Sequence, residues 1–109
     1  MPEINGYKIE KNANLRDAQL SNVDLSNQNL SGAQLWFANL TNSNLTDVKL
    51  DGADLWGANL TGANLTNANL DGADVWDAVL IDTDLSNVNL TDVLFLNEAE
   101  LNNLSLIHI

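Results

Sequence analysis

Leucine recurs at every fifth residue of this chain, without a break from Leu15 to Leu70. Val75 takes the next slot, followed by Leu80, Leu85, Leu90 and Phe95, which makes 17 consecutive apolar slots, 15 of them leucine. A second register runs two residues ahead. It holds Ala ten times and Val at 23, 48, 88 and 93, with Ser43, Thr83 and Gln28 as exceptions. The residue between the two registers is usually Asn or Asp. A period of five fits neither a helix nor a strand. Five residues turn an α-helix by about 500°, which would scatter the leucines over its whole circumference. The Gly, Asn and Asp content also opposes a helix. A fixed short repeat predicts a solenoid, each unit being a short extended piece followed by a turn. Gly32, Gly52, Gly57, Gly62 and Gly72 fall just after the leucine, where turn residues belong.

The run "ADLWGANLTGANLTNANLDGADVW" resembles the pentapeptide-repeat proteins, whose motif is Ala-(Asp/Asn)-Leu-X-X, and the resemblance extends over residues 13–95. It implies an all-β fold, a right-handed quadrilateral β-helix of about four coils with four pentapeptides per coil. The small residue and the leucine would point inward and the other three positions outward. The expected organisation is an N-terminal cap over 1–12 (Ile4, Tyr7, Ile9), a β-helix over 13–96, and a C-terminal cap or dimerisation tail over 97–109.

With four repeats per coil, residue n stacks on residue n+20. Trp36, Trp56 and Trp76 then form one vertical column, with Arg16 before them, Leu96 after them and Phe37 beside Trp36. Phe95 is expected inward, in the seventeenth slot. The column has two readings. It is a structural ladder of aromatic neighbours, or Trp36, Phe37, Trp56 and Trp76 form an exposed apolar patch that meets a protein partner. Columns of Ser and Thr on other faces suit solvated strands and can pair across rungs. Asp51, Asp54, Asp71 and Asp74, from two stacked "DGAD" corners, place four carboxylates near one another. Such a group either recruits a cation or stays solvated with diffuse counterions, and the spacing matches no dedicated calcium loop. Gln28, in an inward slot, is expected to bond to a backbone group. His108 stands alone in the tail, without a partner at catalytic or metal spacing.

Lys and Arg number 4 against 15 Asp and Glu, a net charge of −11. Beyond residue 16 only Lys49 opposes 13 acids. Nucleic-acid binding through phosphates requires the opposite sign. With no cysteine there is no disulfide or thiolate chemistry. No nucleophile–base pair, phosphate-cradling glycine loop or ligand cluster is present, so neither an enzyme nor a bound cofactor is expected. The start "MPEINGYKIEKNANL" lacks the apolar core of a secretory signal and no run approaches a membrane span, so a cytoplasmic protein without membrane contact is expected.

Two functions follow as expectations. The first is a non-enzymatic structural or protein-interaction module presenting rigid faces to a partner. The alternative comes from the resemblance alone: an acidic mimic of duplex DNA that acts on DNA gyrase, as quinolone-resistance members of the family do. About four coils, no loop between the repeats and a tryptophan face all depart from that pattern. The apolar tail residues Leu104, Leu106, Ile107 and Ile109 are candidates for joining two copies end to end.

Overall fold

In the computed structural model, which describes residues 2–96 and Ala99, the chain winds as a right-handed four-sided β-helix. Every side is a very short extended piece. Parallel bridges join residues twenty apart, from Asn14–Gln34 and Gln19–Asn39 up to Asp74–Leu94. A typical rung is closed by Leu15 N–H donating to Gln34 C=O (2.7 Å) and Gln34 N–H donating to Ala13 C=O (2.9 Å). Stacking coils thus satisfies the backbone that a narrow tube would otherwise leave unpaired.

The corners explain the two residues after each leucine. The Ala18 N–H donates to the Leu15 C=O across a four-residue turn (3.1 Å), and the third residue, Asp17, has φ 57°. Positive φ in that place marks a type II turn and favours Gly, Asn or Asp. The register supplies them at Asn12, Asn22, Asn27, Gly32, Asn42 and onward to Asn87, with Phe37 the exception.

The Asn or Asp before each leucine has a task that composition alone did not reveal. Its side-chain oxygen accepts the N–H of the residue two positions on, as Asn64 Oδ1 does from Thr66 N (3.0 Å), and often that residue's hydroxyl as well (Thr66 Oγ1, 2.6 Å). These Asx turns brace the corner from outside. Most Ser and Thr hydroxyls therefore bond within their own corner rather than across rungs. Ser31, which donates to Asp51 Oδ1 of the next coil (2.6 Å), is different. The exposed Asp24 carboxylate accepts both the hydroxyl and the N–H of Ser26, which holds it below the usual carboxylate range.

The slots from Leu15 to Leu85 are buried throughout, Val75 included, and form one core with the buried alanines. Each leucine contributes about 1.5–3 kcal/mol by leaving water. The buried hydroxyls of the small register find carbonyl partners: Ser43 Oγ donates to Leu40 C=O in its own corner (2.7 Å) and Thr83 Oγ1 to Leu60 C=O of the preceding coil (2.8 Å). Gln28 is half-buried. Before the first coil, β1 (Glu3–Ile4) and β2 (Tyr7–Lys8) form an antiparallel hairpin. Its Asn5-Gly6 turn has positive φ at both residues (55° and 83°), as a type I′ hairpin requires. Ile9 is buried, Ile4 and Tyr7 pack against the core, and the Tyr7 hydroxyl accepts the Gln19 N–H (3.2 Å).

The last coil corrects one expectation. Phe95 does not fill the seventeenth slot. It lies 53% exposed at φ 63°, while Val93 and Leu96 pack against the core. The shift begins at the preceding corner, where Gly72 N–H reaches the C=O of Asp92, not that of Thr91. The interior is sized for leucine. Forcing a phenyl ring into such a slot costs about 1–3 kcal/mol, and moving one residue along offers a leucine instead.

Candidate functional site

The first residue of each corner following slots 15, 35, 55 and 75 stands directly above its counterpart one coil earlier. This register alone places Arg16, Trp36, Trp56 and Trp76 in one line. The rings touch in series. Trp36 meets Trp56 edge-on (centroids 6.0 Å, planes at 88°), and Trp56 meets Trp76 at 5.2 Å with planes at 50°. The Arg16 guanidinium carbon lies 4.4 Å from the Trp36 ring centroid, a cation–π contact at the start of the line.

Phe37 occupies the next position of the Trp36 corner. Its φ of 56° is a left-handed conformation that bulky side chains avoid. The ring is 57% exposed and rests 5.9 Å from the Trp56 centroid. It lies over Gly57, where an added Cβ would come within 2.4 Å of Phe37 Cε1. Gly57 thus serves two ends, a left-handed corner (φ 66°) and a seat for the ring. Trp56 and Trp76 are 37% and 39% exposed, so with Phe37 they give this corner a continuous apolar outer surface.

Carboxylates frame it. Trp36 Nε1 donates to Asp54 Oδ2, and Asp54 Oδ1 accepts the Trp56 N–H (3.1 Å). One rung on, Asp74 Oδ1 accepts the Trp76 N–H (2.9 Å). Asp17 and Asp77 are exposed in the same corner column as Phe37.

The structure therefore brings Trp36, Phe37, Trp56 and Trp76 together. It does not gather Asp51, Asp54, Asp71 and Asp74 into one site: Asp54 and Asp74 brace the tryptophan corner, while Asp51 bonds Ser31 on another side. Among the described residues no group of three or more His, Cys, Asp or Glu is placed to hold a metal ion. Leu104, Leu106, Ile107, Ile109 and His108 lie outside the described residues. Sequence reasoning missed the roles of Asp54, Gly57 and Arg16. The signal for Gly57 was present, since it follows the out-of-place Phe37 by one coil's length of twenty residues.

A family profile described as pentapeptide repeats matches the chain in eight copies, over 11–47, 43–75, 58–95 and 68–108. Among solved structures, the chain is similar to the pentapeptide repeat protein Rfr23 of the cyanobacterium Cyanothece 51142, at 37% identity and TM-score 0.80 over 83% of this chain. It is similar to a pentapeptide repeat protein of the Arabidopsis thaliana thylakoid lumen at 33% identity and TM-score 0.69 over 73% of this chain. It is also similar to HetL, a protein involved in heterocyst differentiation regulation in Nostoc sp. strain PCC 7120, at 34% identity and TM-score 0.66 over 84% of this chain. The alignments span 61%, 55% and 46% of those three proteins. No curated protein matches the chain.

Proposed function

The chain belongs to the pentapeptide-repeat family, and from that premise we propose that it is a non-enzymatic interaction module that docks a protein partner on its tryptophan corner. One observation carries this reading: Phe37 is held in a strained backbone conformation and left more than half exposed against Trp56. A bulky left-handed residue costs on the order of 1–3 kcal/mol. Asn, Asp or Gly fills this register elsewhere without that cost, so a solvent-facing phenyl ring here is better explained by contact than by stability. The β-helix supports the reading because each coil is fixed by its neighbours, which keeps the rings in register without a partner.

The test is affinity capture with the native chain and with a variant carrying F37N, W56T and W76T. Asn and Thr are the residues that other corners use at these positions. Circular dichroism should show the β-helix retained, and partners captured by the native chain should be lost. Retention of the same partners by the folded variant would overturn the proposal. Addition of micromolar protein to a DNA gyrase supercoiling assay separates this reading from the DNA-mimic alternative, and the expected result is unchanged supercoiling.

A further inference from the structure

The aromatic line begins with a cation. Arg16 lies on the Trp36 ring at 4.4 Å, and no later coil repeats this. Beyond Arg16 the only Lys or Arg is Lys49, which bridges Asn29 and Asn69 on a different side of the tube. Among the described residues, Trp56 and Trp76 thus offer indole surface without a basic side chain over them. Around them the charge has one sign: Asp54 and Asp74 on the strand leading into the corner, and Asp77 at the corner itself. An indole face is the negative end of a quadrupole, and neighbouring carboxylates deepen that potential.

Resting on the reading of this corner as a docking surface, we infer that its occupant is a basic polypeptide segment. Its Arg and Lys side chains lie over Trp56 and Trp76 as Arg16 lies over Trp36, with their charges facing the flanking aspartates. The charge complement selects this occupant over an acidic or neutral one. A second copy of the chain fits poorly, since its body is as acidic as the surface it would have to meet. Trp56 and Trp76 are one rung apart, about 4.8 Å, so a segment of about three extended residues reaches both.

All three tryptophans belong to this line, so intrinsic fluorescence reports on the corner directly. The probes are three synthetic nine-residue peptides that alternate Ser with Arg, Gln or Glu. The Arg peptide should change the emission saturably and bind at least about tenfold tighter than the Gln peptide, as cation–π contacts with partial desolvation allow. The Glu peptide should give no response. The variant D77N should weaken the Arg peptide several-fold. The variant D24N/D84N, which removes two charges from the opposite side, should leave binding unchanged. Equal binding of the Gln and Arg peptides would overturn the basic occupant while leaving the corner a docking surface. Equal weakening by the two charge variants would reduce the effect to diffuse attraction and overturn the inference. Absence of any response to the Arg peptide would also overturn it, while the capture experiment with F37N/W56T/W76T decides the docking surface separately.

Discussion

Phe37 holds a backbone conformation that its register gives elsewhere to Asn, Asp or Gly, and it does so over a glycine that has made room for it. Two magnitudes oppose each other here, and the strain is the larger. Relief of the left-handed strain is worth about 1–3 kcal/mol, and the lost contact with Trp56 about 0.5–1.5 kcal/mol. Phe37→Asn should therefore leave the stability to urea unchanged or raise it, by about 1 kcal/mol at the middle of these ranges. Gly57→Ala should be costly, by about 1–3 kcal/mol, because its Cβ would enter the Phe37 ring. In a Phe37→Gly background that cost should shrink, and a double-mutant cycle should show coupling of roughly 1 kcal/mol or more. Strictly additive effects would mean that the ring does not rest on Gly57. The repeat put Phe37 beside the tryptophan column and Gly57 one coil after it, but it did not show the positive φ or the ring resting on the glycine.

At the level of one repeat, sequence and structure agree because the element is so short. Leucine, its small partner and the Asn or Asp between them each have one place to go once the chain turns every five residues. The pattern therefore sufficed to assign inward slots from Leu15 to Leu85. It failed at Phe95 because periodicity counts positions and does not weigh volume. Leu96, one step on, fitted the interior that leucines had already dimensioned. A graded response to truncation should follow. Leu50→Ala, in a fully enclosed coil, should cost about 2–5 kcal/mol. Leu90→Ala, half-buried in the last described coil, should cost clearly less. Chemical denaturation of both variants measures the difference, and equal losses would contradict the shallower burial of Leu90.

Across the whole molecule, a net charge of −11 lies on a narrow tube whose side chains are largely at the surface. Self-repulsion of this kind opposes the compact state and is screened by salt. Raising sodium chloride from about 20 to 200 mM shortens the screening length from roughly 20 to 7 Å, so the thermal midpoint should rise by a few degrees. A midpoint indifferent to salt would show the carboxylates to be too dispersed to matter. The strict five-residue spacing of leucine called for a solenoid, and the resemblance to the pentapeptide-repeat proteins implied a coil that closes every twenty residues. That closure also determined which residues share a column. How the side chains of one column meet came from the folded molecule: the edge-on indoles, the Arg16 stack, the two-rung reach of Asp54 and the phenyl ring over Gly57. These depend on rotamers and on contacts between residues eighteen to twenty apart, and a linear repeat records position along the coil but carries no information about the direction in which an outward side chain leans.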